Sequence, residues 1–151
     1  MTDSSTIQHI LNSTIQSLTT IIPVDFKVLS PSLTTQPYEQ KELSVLISLI
    51  GDLRGRLIID TNEETISHIG EAMFGMKIEG AMIESFTGEL GNMVAGNLCT
   101  VLEKNSLTLD ISPPTVLMGV TKFYGFQKAF NLPLHFENTL PSNVLLTIDE
   151  V

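Results

Sequence analysis

The sequence predicts an α+β fold in which long helices pack on an antiparallel sheet, and three observations carry that prediction. Some segments place apolar residues three and four apart, shorter β-rich segments lie between turn residues, and their order departs from a regular βαβ series. At 151 residues with 42% hydrophobic content, the chain is expected to form one domain over 1–151. That is long enough to bury a core without disulfides or metal.

The first helix is predicted over 4–22, where Ile7, Ile10, Leu11, Ile15, Leu18 and Ile22 form one stripe and Pro23 ends it. Val24, Phe26 and Val28 alternate as in a strand, ahead of a Ser/Thr/Pro-rich connection to Pro37. Residues 43–50 and 56–59 form the arms of a hairpin around Gly51-Asp52-Leu53-Arg54-Gly55, with glycines where a turn needs permissive backbone angles. In the short second helix, Thr61 and Glu64 have capping-box spacing, and Ile66, Ile69, Met73 and Phe74 supply the apolar face up to Gly75. A third helix follows Gly80. Strands over 115–120, 130–136 and 144–148 complete the chain, with Pro133 expected at an edge or bulge.

On the third helix, residues step by about 100° around the axis. Ile83, Phe86, Leu90, Met93, Val94 and Val101 then share an arc that must face the core, and Asn97 falls inside it. A buried Asn97 amide needs a hydrogen-bond partner. Ser85, Glu89, Asn92, Gly96 and Glu103 gather on the opposite side as an exposed polar stripe. Beside the stripe lie Gly88, Gly91 and Ala95, although each glycine costs a helix about 1 kcal/mol relative to alanine. Two readings of this smooth shoulder are open: close approach of another protein's backbone, or tight packing within the chain. A Glu-x-x-Asn spacing on a polar helix face is common and carries no function by itself.

The balance of charge narrows the partners. A formal net charge of -9 leaves little to hold a phosphate backbone or an anionic lipid surface, so neither nucleic acid nor membrane is expected. The dense apolar run 45–50 is far shorter than the roughly 20 residues a spanning helix needs. Cys99 is the only cysteine, His9, His68 and His135 are scattered, and no basic-then-apolar leader opens the sequence. The expectation is a cytoplasmic protein with no metal site.

The segment Glu89-Leu-Gly-Asn-Met-Val-Ala-Gly-Asn97, followed by Leu109-Asp-Ile-Ser-Pro-Pro-Thr-Val116, resembles the CheX and CheC family of response-regulator phosphatases. Those proteins carry a helix with Asp or Ser, then Glu, then Asn, and a proline downstream, and Ser85, Glu89, Asn92 and Pro114 fit that pattern. The likeness runs from the first helix to the last strand and includes Leu49-Ile-Gly-Asp-Leu-Arg-Gly-Arg56. A single copy of the motif is present, as in CheX. Pro113 departs from the family, which more often has an apolar residue there, and the tail ends directly after the last strand.

The resemblance implies hydrolysis of the aspartyl phosphate of a CheY-like response regulator, whose own carboxylates hold Mg²⁺, with no cofactor bound by this chain. It implies that Asn92 positions the attacking water, because an amide can orient a water without acting as a base. It gives Glu89 a salt bridge to the regulator's active-site lysine. Ser85, Gly88, Gly91 and Gly96 become candidate partner contacts, and a homodimer joined through sheet edges is expected. The alternative is a non-catalytic module that docks on a response regulator or a flagellar switch component through the same helix.

Overall fold

The computed structural model describes residues 4–149. In chain order these form α1 (Ser4–Ile21), β1 (Phe26–Val28), β2 (Ser32–Thr34), β3 (Tyr38–Gln40), β4 (Leu43–Gly51), β5 (Arg54–Thr61), α2 (Glu63–Phe74) and α3 (Ala81–Glu103). Then come β6 (Leu109–Ile111), β7 (Thr115–Met118), β8 (Thr121–Phe123), β9 (Ala129–Phe136) and β10 (Ser142–Asp149). Eight strands build one antiparallel sheet in the order β1-β9-β10-β5-β4-β6. β2 extends the β1 edge by pairing with β9, and β7 extends the β6 edge by pairing with β4. The α+β class and the antiparallel sheet expected from the sequence are what the chain adopts.

Both faces of the sheet are covered, which explains why its central strands are nearly continuously apolar. On β5, Leu57 and Ile59 point into the main core with the helices, whereas Ile58 points into a smaller cluster with Phe123, Phe126, Ala129 and Leu145. The separate β3–β8 ribbon covers that second face and is clasped to the sheet by the Tyr38 hydroxyl, which donates to Asp60 Oδ2 at 2.5 Å. Burial pushes the Asp60 carboxyl above its usual range, and the Tyr38 hydrogen bond pulls it partly back. Burial first, then the Asp60 contact, raises the Tyr38 hydroxyl as well.

Four local expectations are corrected. Thr61 does not cap α2: its hydroxyl pairs with Ser142 Oγ at 2.9 Å between β5 and β10, and Asn62 Oδ1 instead accepts from the Thr65 N–H at 2.9 Å. Pro133 sits in an interior strand rather than at an edge. Its carbonyl accepts from Leu29 N at 2.9 Å, one step beyond β1 in the same register, and the reciprocal bond to the Leu29 carbonyl is the one the missing N–H gives up, so the ladder of β1 stops at Val28. The strand expected over 115–120 ends at Met118 as β7, and β8, which begins at Thr121, joins a different sheet. Phe74 was expected in the core but is 56% exposed, because α2 ends there and Gly75 turns the chain through a left-handed conformation.

Candidate functional site

α3 is the longest element described, at 23 residues. It packs on α1, α2, β4, β6 and β7. Such surroundings bury more of the helix than one arc. Ile83, Phe86, Leu90 and Val94 are buried as expected, but so are Gly88, Gly91, Ala95, Leu98 and Leu102. Met93, Asn97 and Val101 are only half-buried, and Asn97 Oδ1 is shielded without a hydrogen bond among the described residues. The surface left over in the middle of the helix is a narrow ridge: Ser85 and Glu89 exposed, Asn92 and Gly96 half-exposed.

The glycine shoulder resolves into two kinds of position. A Cβ at Gly91 would lie 2.7 Å from both γ-methyls of Val45, and one at Gly88 would lie 3.3 Å from Val116 Cγ2 and 3.9 Å from Pro114 Cγ. Gly88 and Gly91 therefore bring the helix backbone onto β4 and β7, which corrects their assignment as partner contacts: both are buried. Gly96 has nothing within 4 Å of its Cβ position and remains open on the ridge. Pro114, far from Glu89 in sequence, is exposed and packs at the level of Gly88, so the chain brings the downstream proline beside the helix motif.

Glu89 and Asn92 are three apart on one helix, which makes them surface neighbours. Neither side chain, nor that of Ser85, makes a hydrogen bond among the described residues, and the one ion pair among those residues is Lys77–Glu79 at 3.9 Å. The ridge thus offers an unpaired carboxylate, an unpaired amide and a hydroxyl in a row. An amide supplies both a donor and an acceptor, and a carboxylate supplies charge and acceptors only. No group of three or more His, Cys, Asp or Glu able to hold a metal occurs among the described residues, and no helix there is long and apolar enough to cross a membrane. Cys99 lies further along α3, its thiol pushed up by burial and then by Asp110.

The α+β fold, with its long helix laid on an antiparallel sheet, is that of the CheC/CheX-like class. The family model "Chemotaxis phosphatase CheX" matches residues 43–122, which include the hairpin, α2, α3 and the downstream proline. The chain belongs to this family of phosphatases, which are hydrolases. It is 29% identical over 136 residues to the CheY-P phosphatase CheX of Thermotoga maritima, covering 87% of this chain and 88% of the relative. A CheC-like superfamily protein from Shewanella sp. PV-4 superposes with a TM-score of 0.79 at 23% identity, over 99% of this chain and 100% of the other. The CheX of a CheX–CheY–BeF3–Mg²⁺ complex from Borrelia burgdorferi superposes with a TM-score of 0.78 at 24% identity, over 95% and 97% of the two chains.

Sequence reasoning missed one feature of this region. Phe74, Met76 and Met82 stand exposed around the α2–α3 turn and line an open groove together with Ser85 and Glu89. Its signal was the pair of methionines flanking the turn, Met76 and Met82, which no core stripe required.

Proposed function

We propose that this protein hydrolyses the aspartyl phosphate of a CheY-like response regulator, with Asn92 positioning the attacking water and Glu89 pairing with the regulator's active-site lysine. The observation that carries the reading is the pairing of an unengaged Glu89 and an unengaged Asn92 one turn apart on a ridge otherwise bounded by buried residues. In the reaction, water oxygen bonds to phosphorus as the bond to the aspartyl oxygen breaks, releasing inorganic phosphate and the free carboxylate. The regulator supplies the phosphoryl group and, through its own acidic residues, the Mg²⁺ that neutralises developing charge. This chain supplies position: an amide that holds the water in line, and a carboxylate whose charge fixes the docking register.

Support comes from family membership and from a relative whose name is CheY-P phosphatase. Ser85 and Gly96 border the pair and are assigned to secondary contact with the regulator. One domain over 1–151, a cytoplasmic setting and a homodimer joined through the β1/β2 or β6/β7 edge belong to the same reading. Light scattering that finds a 16.6 kDa species at every concentration removes the dimer.

The central experiment follows phosphate loss from a panel of phosphorylated CheY-like regulators in Mg²⁺, with and without this protein. Faster loss from at least one regulator, abolished by Asn92→Ala, is the expected result. Binding with an unchanged phosphate lifetime for every regulator overturns hydrolysis and leaves the non-catalytic docking module in its place.

A further inference from the structure

The ridge continues into the groove at the α2–α3 turn. Phe74, Met76, Ile78, Met82 and Phe86 form most of the lining of an open cavity of about 760 Å³, which Ser85 and Glu89 also line. Three of these side chains are held out to solvent: Phe74 at 56%, Met76 at 55% and Met82 at 42% exposure. The floor beneath them is fixed. Phe74 meets Phe86 edge-on at 5.4 Å, Ser67 Oγ donates to the Ile78 carbonyl at 2.8 Å, and Ile78 is buried against Gly70. A contiguous apolar surface kept exposed on a fixed floor marks an interaction site.

Charge selects the occupant. Glu89 carries the one charge among the lining side chains and has no ion pair among the described residues. The C-terminal end of α2 points its partial negative charge at the same turn with no basic residue in its last turn. Lys77 is engaged by Glu79 at 3.9 Å. The groove therefore fits a segment that sets apolar side chains beside a lysine. Because Ser85 and Glu89 belong both to the ridge and to the groove, a partner brought onto the ridge covers the groove as well. A second copy of this chain seated there would instead cover Glu89 and obstruct the site.

We propose that the groove is the surface by which this protein selects its regulator: the phosphorylated partner seats apolar side chains between Met76 and Met82, next to the lysine that meets Glu89. This rests on the hydrolysis reading above. Methionine suits the role, since its flexible, polarisable thioether adapts to a partner's shape.

The test is steady-state hydrolysis of a phosphorylated CheY-like regulator in Mg²⁺ by wild type, Met76→Ser, Met82→Ser, the double serine variant and the double leucine variant. For the double serine variant KM is expected to rise about tenfold with kcat within about twofold, each single serine giving about threefold, and the leucines restoring KM. An unchanged KM, or a loss confined to kcat, overturns the groove while wild-type turnover keeps hydrolysis standing. Absence of turnover by wild type removes the hydrolysis reading and the groove's role with it. Light scattering in which the serine variants convert a wild-type dimer to monomer assigns the groove to a second copy and overturns the proposal.

Discussion

The two sides of α3 are built on opposite terms. The inward side is set by contact: Gly91 lets the helix backbone rest against Val45, and Gly88 does the same against Val116, so side chains are removed in order to bring main chains together. The outward side is set by absence of contact, with Ser85, Glu89 and Asn92 making no side-chain hydrogen bond among the described residues. One helix thus combines a face that sets stability with the face proposed to meet the regulator. Substitutions on the two should have separable consequences.

The largest effect is expected on the inward side. Gly91→Val forces carbon into space 2.7 Å from the Val45 methyls, and overpacking of this kind should cost about 3 kcal/mol or more, read as a lower urea midpoint. An unchanged midpoint would break the contrast. Asn92→Ala comes next: loss of a positioned water should lower kcat about 100-fold, equivalent to about 2.7 kcal/mol of barrier, while the urea midpoint stays put. A midpoint that falls together with kcat would show Asn92 to be structural.

A third region, away from both faces, supplies a control. Asp60 is held above its ordinary value of 3.8 by burial. The folded state therefore favours the protonated carboxyl, and its contribution to stability is full below that pH and is lost as pH rises through the raised value. Asp60→Asn should flatten this decline in melts recorded from acid towards neutral pH, with kcat unaffected. The smallest effect belongs to Gly96→Ala. With open space at its Cβ position, alanine should stabilise the helix by about 0.5–1 kcal/mol. If the regulator's backbone closes on Gly96, KM rises even as the midpoint climbs.

Much of the fold could be anticipated because period and punctuation agree. The α1 stripe before Pro23, the hairpin around Asp52 and Leu53, and the helix after Gly80 all appear within a residue or two of the expected limits. The short strands β2, β3, β6 and β8 lie outside the expected strands, since three residues are too few to show alternation and pairing partners decide them. Thr61 looked like a cap because Ser, Thr and Asn share that chemistry, and the choice went to Asn62 once Ser142 claimed the threonine hydroxyl. The ridge itself was visible on the helical wheel. What the wheel could not say was whether the glycine shoulder met a partner or the sheet, because that depends on where β4 and β7 lie.

Glu89 and Asn92 stand ready without being held, and that carries a thermodynamic consequence. Neither makes a side-chain hydrogen bond among the described residues, so under the proposed docking each gives up rotamer freedom when a regulator arrives, at a cost of about 0.5–1.5 kcal/mol. That entropy is surrendered on docking and regained on departure, which weakens the complex and shortens its residence time. For an enzyme whose product differs from its substrate by a single phosphoryl group, a brief embrace is an asset: the spent regulator leaves, and the next can enter.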